Sequence, residues 1–278
     1  MKSIREIFLP DENEYFVKCD LSQAEDRFAK MYCNSKRMRE LANLPPWEYD
    51  THTENANMIF EQDITKLSKA EFKQKRYLGK KVVHAGWRGV AGTTMSENVS
   101  KDTDGGVYLS PSECSKLIDK YLKKNPEITG YYFPWVEQQI KETGILFNSW
   151  GRRYDVRFLR ITQDLLRQCY SYYPQAENAD WTNQYGFIPA HWYMNKNHGK
   201  ACTLQLHDEV VVSLPFEHIY DYCIFIKNSI EQTRIIQGHE LKIPAEITIS
   251  KTLYGGIEFE QLPERKKFEE QIQDFLNI

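Results

Sequence analysis

The sequence predicts an α+β fold on three observations. A strand pattern within residues 1 to about 40 ends at an aspartate, a hairpin pattern around residue 208 presents a second one, and about residues 41 to 160 between them read as mainly helical. Within the 278 residues, the third part, about 161 to 270, reads as helix, hairpin and a further strand.

Taking the elements in order, Val17, Cys19 and Leu21 alternate with Phe16, Lys18 and Asp20. That period of two belongs to a half-buried strand and puts Asp20 on the face opposite the apolar set. Ser22 is placed to cap a following helix, with Glu25 three residues later at the capping-box spacing before Phe28 and Ala29. Lys69 to Lys81 is the strongest basic patch and Arg152 to Arg160 the second. In a helix, residues four apart drift only about 40° around the axis, so Arg76, Lys80 and His84 share one stripe. Near the other end, Thr203-Leu204 and Val210-Val211-Val212 flank the polar triplet His207-Asp208-Glu209, as expected of a β-hairpin tip. A further strand is expected at Ile243 to Ile249, and Phe268, Ile272 and Phe275-Leu276 predict a final amphipathic helix packed on its own domain.

Composition narrows the class. Hydrophobic content of 41% and charged content of 27% suit a soluble globular chain with a real core. MKSIREIFLP does not read as a signal peptide, and there is no apolar run of about 18 residues, so intracellular, cytoplasmic residence without a membrane partner is expected. The six cysteines lack C-x-x-C spacing and are expected to be reduced and mostly buried. A formal net charge of −3 excludes nucleic-acid coating by bulk attraction, so DNA contacts have to come from local patches.

D-L-S-Q-A-E-D-R (Asp20 to Arg27) resembles the first catalytic motif of family A DNA polymerases, and H-D-E (His207 to Glu209) resembles their third. Between them, DTHTENANMIF (Asp50 to Phe60) is similar to the segment preceding the nucleotide-binding helix, and R-Y-L-G-K-K-V-V-H (Arg76 to His84) to that helix's R-x-x-x-K-x-x-x-F/Y motif. LIDKYLKKNPEI, SWGRRY and RQCYSYYPQAENAD also match family segments, and all seven occur in the family's order. The resemblance implies an antiparallel palm sheet with helices plus helical fingers. Residues 1–40 and 161–278 are assigned to the palm and 41–160 to the fingers, with the nucleotide-binding helix at about 70–90.

The implied activity is template-directed DNA synthesis, the transfer of a nucleotide from a dNTP to a primer 3′-hydroxyl. Two Mg2+ ions about 4 Å apart, with Mn2+ as the expected substitute, require carboxylate oxygens on rigid strands. Asp20, Asp208 and the carbonyl of Leu21 are the metal ligands the resemblance implies, and Glu209 is adjacent. Arg76 and Lys80 would hold the triphosphate, Lys80 would protonate the pyrophosphate, and His52, His84 and Gln23 would add nucleotide contacts. Glu25 matches the family's steric gate, which excludes a ribose 2′-hydroxyl by filling its space. Arg167, Gln175 and His207 match primer-template contacts, and Arg152 and Arg153 match template-backbone contacts. The chain departs from the family at His84, where Phe or Tyr is usual, and at Arg88, where Tyr is usual before Gly89.

Met1 stands only 19 residues before Asp20, so thumb, first palm part and exonuclease are expected to be missing. A split, phage-like polymerase is therefore expected, in which a second polypeptide supplies them. An open sheet edge in such a partial palm is a further reason for a partner. The alternatives are a fragment of a single-subunit-type RNA polymerase and a non-catalytic DNA-binding accessory module.

Overall fold

The computed structural model describes residues 4–277. A short 3-10 turn, Ile4–Ile7, precedes β1 (Glu14–Leu21), α1 (Ala24–Met31), α2 (Lys36–Asn43) and α3 (Thr51–Phe60). Next come α4 (Lys69–Trp87), α5 (Gly92–Asp102), α6 (Pro111–Lys124), a π turn at Ile128–Tyr132 and α7 (Phe133–Glu142). A ribbon of β2 (Ile145–Phe147) and β3 (Arg153–Asp155) leads to α8 (Gln163–Trp181), a second π turn at Thr182–Phe187 and α9 (Ile188–His198). The chain ends with β4 (Leu204–Leu206), β5 (Glu209–Pro215), α10 (Phe216–Ile230), β6 (Thr233–Ile236), β7 (His239–Lys242), β8 (Ala245–Ser250), β9 (Ile257–Phe259) and α11 (Arg265–Leu276).

Two compact units divide it: Met1–Ala24 with Asn178–Arg234 and Glu240–Ile278, and Glu25–Glu177 with Ile235–His239. The divisions fall at 24/25 and 177/178, whereas the sequence reading draws them at 40/41 and 160/161. Helix-breaking signals mark the ends of elements but carry no information on which unit an element packs with.

The first unit is built on a five-stranded sheet in the order β4-β5-β1-β8-β9, with antiparallel pairs throughout. Directly paired residues share a face. Val17, Cys19 and Leu21 therefore lie with Val210, Val212, Ala245, Ile247 and Ile249 on the face that α10 covers with Ile219, Cys223 and Ile226. The opposite face carries Phe16, Lys18 and Asp20, as the alternation predicts. Phe16 is nonetheless buried, in a small cluster with Val211 and Leu253, so β1 is covered on both sides. The predicted last strand starts two residues late, at Ala245, because Pro244 has no N–H for the ladder. Both edge strands, β4 and β9, are three residues long, and a short edge offers little to pair with. α11 buries Phe268, Ile272 and Leu276 within this unit, with Phe268 against Phe259 and Tyr220.

The second unit is mainly helical. α4 starts at a capping box, Ser68 with Glu71, and packs against α3. Gly79 permits that approach, since a Cβ there would lie 2.3 Å from the carbonyl oxygen of His52. Tyr132 and Trp135 stack, Trp87 meets Tyr132 edge-on, and Phe133 stacks on Tyr170 at 4.1 Å, so an aromatic core joins α4, α7 and α8. All six cysteines are free and buried.

Candidate active site

Asp20 is the penultimate residue of β1 and is half-buried. Its register partner on β5 is Glu209 and on β8 is Glu246, so three carboxylates form one row across the sheet. Leu206 pairs with Glu209, which leaves His207 and Asp208 as the two-residue loop of the β4–β5 hairpin. His207 is exposed at φ 57, a left-handed backbone that tight hairpin loops demand. Asp208 stands one residue from Glu209, beside the row.

Glu209 is the unusual member of this group. Its Oε1 is buried without a hydrogen-bond partner. Burial pushes its carboxyl pKa up; the charges of Lys18 and Arg5 oppose this and that of Asp208 adds to it. Lys18, in the next row, is buried and donates Nζ to the carbonyl of Gly255 at 2.6 Å. Leu21 ends β1 with its side chain in the core, and Gln23 sits at φ 56 just before α1.

Among the described residues no group of three or more His, Cys, Asp or Glu side chains is arranged to hold a metal ion. The donors present still fit a hard divalent cation: Asp20 and Asp208 are carboxylates on a rigid strand and a tight turn, and the buried Oε1 of Glu209 lacks a partner. Mg2+ is commonly held by one or two carboxylates, with phosphate and water oxygens completing the shell.

In the second unit α4 presents the basic stripe. Arg76 donates Nε to Asp50 at 2.6 Å, while Asp50 also caps α3 by accepting from the His52 N–H at 3.0 Å. Lys80 is exposed, and no carboxylate among the described residues pairs with it. His52 lies beneath the surface: it is 4% exposed, its Nδ1 has no partner, and its ring is 5.9 Å from that of His84. Burial holds its pKa down at about 3, against the pull of Asp26 and Asp50. His52 is therefore not at the surface, and of the three residues expected to contact phosphate Arg76 and Lys80 are the accessible ones.

Glu25 accepts from Arg88 Nη2 at 2.6 Å and lies 3.5 Å from Nδ1 of His84. Burial alone would raise its pKa, but hydrogen bonds and charge from His84 and Arg88 outweigh it and hold the carboxyl at about 2. Arg167 and Gln175 line one groove of about 440 Å3 together with Arg88, Val90, Tyr154 and Tyr172. Arg167 is held by Asp164 at 2.7 Å. Arg153 pairs with Asp155, and Arg152 is exposed, anchored through its backbone to Asn148 Oδ1 at 2.8 Å.

The sequence profile of DNA polymerase family A matches residues 1–253. The chain belongs to that family. DNA polymerase I of Caldicellulosiruptor bescii is 20% identical over 257 residues, covering 91% of this chain and 28% of that protein. The solved POL domain of Pol1 from M. smegmatis, in complex with DNA primer-template and dNTP, superposes with a TM-score of 0.67 at 16% identity over 90% of this chain and 42% of that one. The family A fold, an antiparallel sheet with helices, is thus shared, while the chain spans less than half the length of either relative.

Two features of this family A chain escape the sequence reading. Asp26, fully buried, accepts from Trp87 Nε1 at 2.9 Å, Thr51 Oγ1 at 2.8 Å and Lys30 Nζ at 2.5 Å. Glu177, also buried, accepts from the Ser149 N–H at 2.6 Å and Oγ at 2.7 Å, and from Tyr32. The spacing of Asp26 and Lys30 marks a helical ion pair, but that signal points to the surface. Nothing in the local sequence announces Glu177.

Proposed function

We propose that this chain carries the nucleotidyl-transfer centre of template-directed DNA synthesis, with the first unit as palm and the second as fingers. One observation carries the proposal: strand register sets Asp20 beside Glu209, and Asp208 precedes Glu209 in the two-residue turn. Asp20 and Asp208, with the carbonyl of Leu21, would hold two Mg2+ ions, and Mn2+ is the expected substitute. When bound, such ions lower the pKa of a primer 3′-hydroxyl and stabilise departing pyrophosphate.

The remaining chemistry belongs to the chain's own residues. Arg76 offers a planar fork to the triphosphate once a phosphate oxygen replaces Asp50 as its acceptor. Lys80, exposed on the same stripe, neutralises charge building on the leaving group and donates it a proton. His84 faces the nucleotide's sugar and base, with Gln23 adding a contact. Glu25 occupies the space of a ribose 2′-hydroxyl. Arg167, Gln175 and His207 contact primer-template, and Arg152 and Arg153 hold the template backbone without reading sequence.

A second polypeptide is proposed to supply a thumb and the rest of the palm, since the chain covers 42% of the solved neighbour. Extension of a primed template by the purified chain tests both parts, with Mg2+ or EDTA, with dNTPs or rNTPs, and with or without a thumb-bearing partner. The expected result is weak extension alone, and Mg2+-dependent extension from dNTPs with the partner. Processive extension by the chain alone rejects the partner, preference for rNTPs indicates an RNA polymerase fragment, and DNA binding with no incorporation under any condition indicates an accessory module.

A further inference from the structure

Two adjacent residues of α1 face two adjacent residues at the end of α4. The inner contact, Asp26 to Trp87, is buried and fixes how the two helices meet. Beside it, Glu25 Oε2 accepts from Arg88 Nη2 at 2.6 Å, and His84, one turn earlier on α4, brings Nδ1 to 3.5 Å of the same oxygen. With the helices braced by the inner pair, the outer pair acts on one side chain, that of Glu25.

This matters for exclusion by shape. A glutamate left to itself samples several rotamers, and a clash that can be relieved by a rotamer change discriminates weakly. A charge-assisted bond to a guanidinium anchored at a helix end removes that escape. We propose that Arg88 is a specificity-determining positioning residue, holding the Glu25 carboxylate in the space a ribose 2′-hydroxyl needs; this rests on the gate role proposed above. Arg88 also lines the groove formed by Tyr154, Arg167, Tyr172 and Gln175. Nη2 is committed to Glu25, and a guanidinium carries five N–H donors, so others remain for nucleic acid seated in that groove. One side chain thereby joins the sugar gate to the groove.

The test measures dNTP over rNTP selectivity, as the ratio of kcat/KM values in primer extension, for wild type, E25A, R88A, R88K and the E25A/R88A double variant. E25A is expected to lose selectivity, and R88A to lose about tenfold or more without exceeding it. R88K, which keeps the charge but not the fork, is expected to fall between R88A and wild type, and the double variant to match E25A. A shifted E25A with an unshifted R88A, or a double variant whose loss is the product of the two single losses, overturns the clamp and leaves the gate standing. An unshifted E25A removes the gate, and the clamp's role with it. Carbon-13 NMR of the Glu25 carboxyl gives a readout independent of turnover: its titration near pH 2 is expected to move up in R88A, and an unmoved titration overturns the clamp.

Discussion

Two partly buried glutamates, Glu25 and Glu209, stand in opposite electrostatic conditions. Burial raises both, but Glu25 meets Arg88 and His84 and is held at about 2, whereas Glu209 stays above the ordinary carboxylate range with one oxygen unpartnered. The helical unit answers its acids from within, as Asp26 does with Lys30 and Asp50 with Arg76. The row of Glu209, Asp20 and Glu246 instead sets three carboxylates side by side on adjacent strands. Acids satisfied from within position side chains, whereas Glu209 keeps one buried oxygen without a partner.

Removing each kind of acid separates the two conditions. Asp26→Ala leaves Lys30 buried and unpaired and is expected to destabilise by about 3 kcal/mol in urea unfolding, while Asp26→Leu with Lys30→Met recovers most of that loss. A D26A change below about 1 kcal/mol would break the claim that this unit balances its own charge. Lys80→Ala removes an exposed cation and is expected to alter stability by less than about 0.5 kcal/mol while raising the KM for dNTP about tenfold. An unchanged KM would take α4's stripe out of nucleotide binding.

The smallest effect is a pH dependence of opposite sign at the two glutamates. Glu25 titrates below its ordinary 4.5 in the folded state, so its contribution to stability is present above pH 4.5 and lost as pH falls towards about 2. Glu209 titrates above 4.5, so its contribution is greatest below pH 4.5 and is lost as pH rises through its raised pKa. Chemical unfolding of E25Q and E209Q across that range checks both: E25Q should flatten the loss on the acid side, and E209Q should abolish the loss on raising pH. Parallel profiles for the two variants would erase the contrast.

Much of this was legible in the sequence because period and turn chemistry are local. The alternation in β1, the hairpin at His207-Asp208, the stripe on α4 and the amphipathic α11 all follow from residues within one or two turns of one another. The Glu25–Arg88 pair spans 63 positions, and no local pattern joins them. Asp26, Lys30 and Glu177 carry no signal of burial in the sequence, because charged residues are ordinarily exposed and only the packed structure shows their partners. The burial of His52 is equally absent from the sequence, for its place in a motif says nothing about depth. The short edges β4 and β9 depend on where pairing stops, which the sequence between Gly199 and Leu204 does not mark.

The central claim is that Asp20 and Asp208 act together at the reacting phosphate. Rapid-quench measurement of one correct dNTP added to a primed template in Mg2+, by a reconstituted polymerase containing the full chain, tests it with wild type, D20N and D208N. The account predicts that each single change lowers the rate by about a thousandfold or more, with unchanged thermal unfolding. Incorporation within about tenfold of wild type in either folded variant would contradict it.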